Sequence, residues 1–466
     1  MAVGAVVMAA GQGTRMRSNL PKVLHPIAGR PLVGWVLDAL SGTRLSHTVV
    51  VVGHLADQVK AALPAGVDVA LQRTQNGTGH ATAVGLKALS PDCDTVLVLS
   101  GDTPLISREL IKRLVQTHRR RKAAATLVST MLEDAGSYGR VIRDRDGVRV
   151  VEAADASVEE LAVHEINAGL YAFDRVALER ALKKVGRDNA QGEIYLPDVL
   201  PIIGGNVGVV LSDDPNVVLG VNSRVELAEC EMIIQDAMRE EMLRSGVTMP
   251  DPTTVYLDAG VQVGRDVTLH PGTHLRGQTV LGDGCSVGPN VIVTNCTVGE
   301  DTRIVFAHIN DSQIGNGCEV GPFAYLRPGV TLEDGSKVGT YVEVKNSVVG
   351  AKSKIPHLSY IGDADIGPGT NIGAGNITAN YDGFRKHRTT IGSGVKTGSD
   401  CVFVAPVRIG DKAMTGAGSI ITHEIPAGAL GMARARQENR EGFTARAEAK
   451  AKAAAAAAGS TKRGQR

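Results

Sequence analysis

Apolar and helical stretches alternate through the first half of the chain. Val3–Met8 is a continuous apolar run, Gly34–Leu40 has helical spacing, and Thr48–Val52 is apolar and β-branched. Gln58–Leu63 is helical again, and Thr95–Leu99 returns to the type of a buried strand. Strands that carry no polar side are covered on both faces, so the pattern predicts an α/β domain with a Rossmann-like, mostly parallel sheet. Ligands of such sheets sit at the carboxyl ends of the strands.

The rhythm changes twice after that. Leu227, Cys230, Ile234, Met238 and Met242 recur at spacings of three and four, which is one stripe of an amphipathic helix. Gly246 suits its stop, with Pro250 and Pro252 beyond it. Past residue 255 the period is six. Val263, Leu269, Leu275, Leu281, Val287 and Val293 form one series, and Ile314, Val320, Leu326, Leu332, Val338 and Val344 another. Val349, Ile355 and Ile361 resume it, and Ile366 and Ile372 follow after a skip. Neither helix nor lone strand has that period. It fits a triangular parallel β-solenoid, in which each side contributes one inward aliphatic residue and Gly eases the corner. The register breaks near Val305–Ile309 and again after Ile377, where a polar loop, Thr378–Thr389, enters. Insertions in solenoids are surface loops, often binding ones.

These changes divide the chain into an α/β domain at 1–225, a linking helix at 226–247, a solenoid at 248–443 and a tail at 444–466. The tail is rich in Ala, Lys and Arg without an apolar stripe, so it is expected to be a frayed helix or flexible. At 466 residues, two or three domains are expected. The net charge of +1 gives no electrostatic reason to expect nucleic acid or a membrane as partner. Aromatic residues are only 3% while Gly numbers 55, which favours many tight turns over an aromatic core. The cysteines, Cys93, Cys230, Cys285, Cys296, Cys318 and Cys401, show no CxxC spacing and are expected as buried thiols in a reducing compartment. The start, MAVGAVVMAAGQG, has no charged segment before its apolar stretch and reads as a strand rather than a signal peptide. With no run of about 18 apolar residues, a cytoplasmic chain is expected.

The first candidate site follows the first strand. Ala9-Ala10-Gly11-Gln12-Gly13-Thr14-Arg15-Met16 is a Gly-rich turn, and Pro21-Lys22 comes shortly after. Gly lets backbone N–H groups approach a triphosphate, and Arg15 and Lys22 offset its charge. The turn is neither the dinucleotide fingerprint nor a Walker A loop. Ser100-Gly101-Asp102 ends an apolar strand and suits a metal-binding carboxylate, although Asp-Thr-Pro alone also suits a helix N-cap.

The GxGTRM and PK segments resemble sugar-nucleotide pyrophosphorylases. Gln72, Gly77-Thr78-Gly79-His80, Tyr138-Gly139-Arg140, Glu152, Glu165-Ile166-Asn167-Ala168-Gly169 and Gly220-Val221-Asn222 extend the match. From about residue 3 to 443 the chain resembles the bacterial bifunctional N-acetylglucosamine-1-phosphate uridylyltransferases and glucosamine-1-phosphate N-acetyltransferases. That resemblance implies Mg²⁺ held by Asp102 and Asn222. It implies a UTP and UDP-N-acetylglucosamine site made by Met8, Ala9, Ala10, Gly11, Lys22, Gln72, Gly77, Thr78, Ser100, Gly101, Asp102, Gly139, Glu152, Asn167 and Asn222. Arg15 and Lys22 would stabilise charge on the triphosphate and leaving group. Relatives often carry a basic residue just after the position of Glu152, where this chain has Ala153-Ala154.

The second candidate site lies on the solenoid, where Arg327, Glu343, Lys345, His357 and Tyr360 fall on neighbouring hexads. By the same resemblance the solenoid is a left-handed parallel β-helix of hexapeptide repeats carrying the acetyltransferase. His357 would be the general base for the glucosamine amine, a role that suits an imidazole at neutral pH, with Glu343 as the partner holding its tautomer. Arg327, Lys345, Tyr360 and Asn371 would bind the sugar phosphate, with Lys386 adding phosphate contacts. Ala374, Asn380, Tyr381, Ser399, Ala417 and Arg434 would meet acetyl-CoA. Family members are homotrimers through the β-helix. The implied products are N-acetylglucosamine 1-phosphate and then UDP-N-acetylglucosamine, which feeds peptidoglycan and cell-envelope synthesis. Two other readings fit the motifs: a solenoid serving only oligomerisation or regulation, and a related enzyme using dTTP or another sugar phosphate.

Overall fold

The computed structural model describes residues 2–145, 147–204 and 206–461. It divides into two compact units, 1–301 and 302–466. Part of the tail, 462–466, lies outside the described residues.

In the first unit the sheet runs in the order Val207–Ser212, Ala125–Met131, Glu165–Asp174, Cys93–Ser100, Ala2–Ala9, His47–Val52, Asp68–Leu71. Only Glu165–Asp174 is antiparallel to its neighbours on this path. The central strands are buried almost throughout, from Val96 to Leu99 and from Val49 to Val52, as a sheet covered on both faces requires. Chain order reverses about Ala2–Ala9. Its neighbours are His47–Val52 on one side and Cys93–Ser100 on the other. A crevice at the carboxyl ends of such strands is where ligands bind.

The linking helix spans Arg224–Arg244 and opens on a capping box between Ser223 and Glu226. Gly246, at φ 101°, follows its end. Cys230 and Ile234 are buried as the apolar stripe requires, but so are Gln235 and Arg239. Arg239 donates to Val255 O at 3.0 Å. The start of the coil is fixed by this helix and by Thr248, which bridges to Thr268.

The six-residue rhythm becomes short parallel strands, two to four residues long, paired with a strand one coil on. Tyr256–Leu257 pairs with Thr273–Arg276, and Gln262–Val263 with Val280–Leu281. In the second unit Lys337–Thr340 pairs with Lys354–His357, and Glu343–Lys345 with Tyr360–Gly362. This is the left-handed parallel β-helix of hexapeptide repeats. Every aliphatic residue of the predicted series is buried except Val263, which is half-buried. At the register break near Val305–Ile309 the sides shorten to five residues, Ile304 to Ile309 and Ile309 to Ile314, as does Val293 to Val298 before it, all buried. Such sides turn at Asn295, Phe306 and Asp311, with φ of 52°, 44° and 43°. Asn and Asp tolerate that left-handed backbone better than most residues.

The tail holds a helix, Phe443–Thr461. Its side chains from 443 to 457 are all exposed, so it buries no face. Among the described residues no helix is long and apolar enough to cross a membrane.

Candidate functional site

In the first unit a cavity of about 310 Å³ opens at the predicted crevice. Met8, Ala9, Ala10 and Gly11 from the first strand and its turn line it, with Lys22, Gln72, Gly77, Thr78, Ser100 and Asp102. Backbone bonds set these pieces. Gly101 N–H donates to Met8 O at 2.8 Å, and Gln72 N–H donates to Val52 O at 2.8 Å. Gly77 has φ 95°, and a Cβ there would lie 2.6 Å from Ile194 O, so the residue must be Gly. Asp102 is not a helix cap. The following helix, Arg108–Arg121, is capped by the hydroxyl of Ser107.

Lys22 opens a short 3-10 turn, and its ammonium donates to Asp102 Oδ2 and, at 3.1 Å, to Asn222 Oδ1. The two oxygens expected to hold a metal therefore converge on one cation position. Val221 N–H donates to Asp102 O at 2.9 Å, which ties their two segments together. Among the described residues no cluster of three or more His, Cys, Asp or Glu could hold a metal by itself. Such an ion would lean on substrate phosphates, as Mg²⁺ does. Arg15 lies outside the cavity lining and is exposed. It neighbours Glu226: burial raises that carboxyl, but hydrogen bonds from Ser223 and the backbone, with the Arg15 charge, hold it below the usual range.

Gly139, Glu152 and Asn167 form a second group on the antiparallel arm. Asn167 N–H donates to Gly139 O at 2.9 Å, and a Cβ on Gly139 would come 3.3 Å from both Glu152 oxygens. Asn167 Nδ2 meets the buried Tyr171 hydroxyl at 2.6 Å. Burial, with the charges of Asp198 and Asp155, pushes the Glu152 carboxyl up. Segment 189–196 joins this group to the cavity. Ala190 N–H donates to Asp155 Oδ1 at 2.8 Å, and Leu196 N–H donates to Thr78 Oγ1 at 2.9 Å. Gln75 and Glu193 also line the cavity and carry no motif signal in the sequence.

In the second unit, Tyr325, Glu343, Tyr360 and Ile377 stand in register on successive coils of one face. Arg327 reaches Glu343 Oε1 at 3.0 Å. This differs from the expected pairing of Glu343 with His357. The reason is placement: His357 is in register with Thr340 on the adjacent face, beyond the corner at Leu358–Ser359. The imidazole is exposed and makes no hydrogen bond among the described residues.

Lys345 and Lys386 are close enough that Lys345 holds the Lys386 ammonium below its ordinary pKa. Tyr360 lies near both Lys386 and Arg327. Behind them is Asp363, which the motifs did not single out. Its carboxylate accepts from Asn346 Nδ2 at 2.5 Å and from Asn380 Nδ2. Burial raises that carboxyl, but the two amides and the neighbouring lysines bring it below the usual range. Asn371 lies on the face of His357, through its bridge to Lys354.

A column of small corner residues runs from His357. Gly375 N–H donates to His357 O at 3.4 Å, Asp400 N–H to Ala374 O at 2.7 Å and Gly418 N–H to Ser399 O at 2.8 Å. Ala374, Ser399 and Ala417 thus occupy successive corners in line with His357. Arg434 follows Ala433, whose N–H donates to Ser419 Oγ at 3.2 Å beside that column. The polar loop is closed by Asp382, which accepts from Phe384 and Arg385 N–H at 2.8 and 2.6 Å. Tyr381 on that loop is exposed.

Residues 5–163 match the model of the MobA-like NTP transferase domain. Residues 260–295 and 311–346 match the bacterial transferase hexapeptide repeats. The "Bifunctional protein GlmU" of Corynebacterium aurimucosum is 46% identical over 94% of this chain and 93% of that relative. Its namesake in Streptomyces avermitilis is 48% identical over 95% and 94%. That of Heliobacterium modesticaldum is 45% identical over 95% and 98%. The chain therefore belongs to the family of the bifunctional protein GlmU.

Proposed function

We propose that the chain makes UDP-N-acetylglucosamine in two steps, one in each kind of domain. The β-helix transfers the acetyl group of acetyl-CoA to the amine of glucosamine 1-phosphate. The α/β domain then transfers uridylyl from UTP to N-acetylglucosamine 1-phosphate and releases pyrophosphate. The observation that carries the reading is the column of small residues leading to an unengaged imidazole, three residues along the chain from Tyr360 and its cations.

In acetyl transfer Arg327, Lys345, Tyr360 and Lys386 hold the sugar phosphate, with Asn371 beside them. The pantetheine arm lies along Ala374, Ser399 and Ala417, with Asn380, Tyr381 and Arg434 completing the acetyl-CoA contacts. The amine attacks the thioester carbonyl, His357 takes the proton, and CoA thiolate leaves. In uridylyl transfer the sugar phosphate oxygen attacks the α-phosphorus, and the bond to the pyrophosphate oxygen breaks. Positioning and charge neutralisation supply the catalysis. Lys22 and Arg15 offset the triphosphate charge, Gln72, Gly77 and Thr78 hold the nucleoside, and Gly139, Glu152 and Asn167 hold the sugar. Asp102 and Asn222 are the oxygen ligands for Mg²⁺, which when bound neutralises phosphate oxygens.

A homotrimer built through the β-helix is part of this reading. Phe323 and Tyr341 stack with centroids 5.3 Å apart and are 51% and 61% exposed, an apolar surface that self-association would cover. The described cysteines are all free and buried, which suits the reducing cytoplasm.

The test is a mass-spectrometric assay with UTP, acetyl-CoA, glucosamine 1-phosphate and Mg²⁺. Asp102→Ala is expected to accumulate N-acetylglucosamine 1-phosphate without UDP-sugar. His357→Ala is expected to lose about 10²–10⁴-fold in acetylation yet still uridylylate supplied N-acetylglucosamine 1-phosphate. Loss of both reactions from either change in folded protein refutes the two-site reading.

A further inference from the structure

The ammonium of Lys22 stands where the two expected metal ligands converge. It donates to Asp102 Oδ2 and to Asn222 Oδ1 together, and both ionic side chains are largely withdrawn from water, at 13% and 17% exposure. Asn222 spends its amide nitrogen on Gly220 O at 3.2 Å, which leaves its oxygen for a cation. The root of the lysine is held as well. A Cβ on Gly13 would come 2.6 Å from Lys22 Cβ, and Val23 beside it is buried. Beyond that root the stem is a flexible chain ending in a point charge, and Lys22 also lines the cavity.

We propose that in the nucleotide-free protein Lys22 fills the divalent-cation position, so that a metal ion gains Asp102 and Asn222 only when a triphosphate draws the ammonium away. This rests on the reading of those two residues as the metal ligands. An ammonium and a divalent ion cannot share the same two oxygens, because at such separations their charges repel strongly in a site shielded from water. Triphosphate oxygens offer the ammonium a better partner than one carboxylate, and its departure exposes the ligand pair. Metal and nucleotide binding are then coupled through one side chain, and the coupling acts equally in both directions. Free metal without nucleotide meets a site that already carries its counter-charge.

The experiment measures Mn²⁺ binding to the full-length protein without nucleotide, by the paramagnetic resonance of unbound Mn²⁺. Lys22→Met and, as a second variant, Lys22→Gln are expected to bind Mn²⁺ at least about tenfold more tightly than the unaltered protein. Arg15→Met removes a like charge from the preceding 3-10 turn, Thr14–Met16, outside the cavity lining, and is expected to change the affinity by less than about threefold. Adding Asp102→Ala to Lys22→Met is expected to abolish the gain. If neither Lys22 variant binds more tightly, or Arg15→Met gains as much, the proposal is overturned while the metal ligands stand. If the gain survives the loss of Asp102, the ligand assignment itself is overturned and the proposal with it.

Discussion

The side-chain amide of Gln235 closes both hydrogen bonds of the Leu257 backbone: Nε2 donates to Leu257 O at 2.7 Å, and Oε1 accepts from Leu257 N at 3.0 Å. Leu257 belongs to the first strand of its face, which has a coil on one flank only. Helix Arg224–Arg244 supplies through a side chain what a preceding coil would supply through its backbone. Replacing Gln235 with Leu keeps the volume and strands a buried N–H and C=O. The expected cost is about 2–4 kcal/mol, read as a lower calorimetric unfolding midpoint. An unchanged midpoint would show that water or a shifted neighbour meets both groups.

This pairing also marks where the sequence stops being legible. The stripe Leu227, Cys230, Ile234 foretold a helix with one apolar face, because hydrophobic spacing reports which side is buried. It could not foretell that Gln235 and Arg239 are buried too, since their partners are backbone atoms some 20 residues on and leave no periodic trace. The solenoid was legible for the opposite reason: each side needs one inward aliphatic, whatever its tertiary surroundings. Val263 departs from the rule because its strand pairs only with Val280–Leu281, whereas Leu257 and Leu269 are covered by Gln235 and Thr248. The acetyl site shows the same divide. Its cations were marked by motif, but the face on which His357 stands depended on corner geometry, and so the partner expected for it went instead to Arg327.

That correction has a kinetic consequence. Since Glu343 bonds to Arg327 rather than to the imidazole, Glu343→Gln is expected to raise KM for glucosamine 1-phosphate a few-fold with little change in kcat. The acidic limb of the acetylation pH profile, set by the base, should stay where it is. A displaced limb would mean that Glu343 reaches His357 during turnover.

Gly362 lies against Tyr360 and Asn380, two residues of the proposed acetyl-transfer site. A Cβ there would come 2.7 Å from Asn380 Nδ2 and would press into the Tyr360 phenol. Neither side chain can yield without leaving its place, since Asn380 is buried against Asp363. Gly362→Ala is therefore expected to weaken glucosamine 1-phosphate binding by roughly tenfold, about 1.4 kcal/mol, measured by calorimetric titration. Uridylyl transfer, measured beside it, should be unaffected.

Glu152 predicts a slope of stability with pH. Burial first, and then the charges of Asp198 and Asp155, raise its carboxyl above the ordinary glutamate range. The folded protein thus holds this proton more tightly than the unfolded chain does. The contribution is complete below the unfolded value and is lost as pH rises through the folded one. Glu152→Gln keeps the neutral shape at every pH. The difference in unfolding midpoint between the variant and the unaltered protein should be small near pH 4 and should grow in the variant's favour as pH rises. A constant difference would mean that Glu152 ionises in the fold as freely as in the unfolded chain.

On the proposed reading Lys345 and Lys386 hold the sugar phosphate together, and its binding is then a proton-linked event. A hydrogen bond and repulsion from Lys345 lower the Lys386 pKa, so part of Lys386 gives up its proton at alkaline pH before an ordinary lysine would. A phosphate set against both ammonium groups cancels that repulsion and draws the proton back. Binding at alkaline pH should therefore take up protons, and the affinity for glucosamine 1-phosphate should fall as pH rises through the Lys386 value. Titration calorimetry in buffers of different ionisation heat counts those protons directly. Lys345→Met removes the repulsion and returns Lys386 toward its ordinary value, so its uptake should shift to higher pH even as overall affinity falls. If uptake is the same with and without Lys345, the proton belongs to another group, such as the sugar amine, and the two lysines do not share the phosphate.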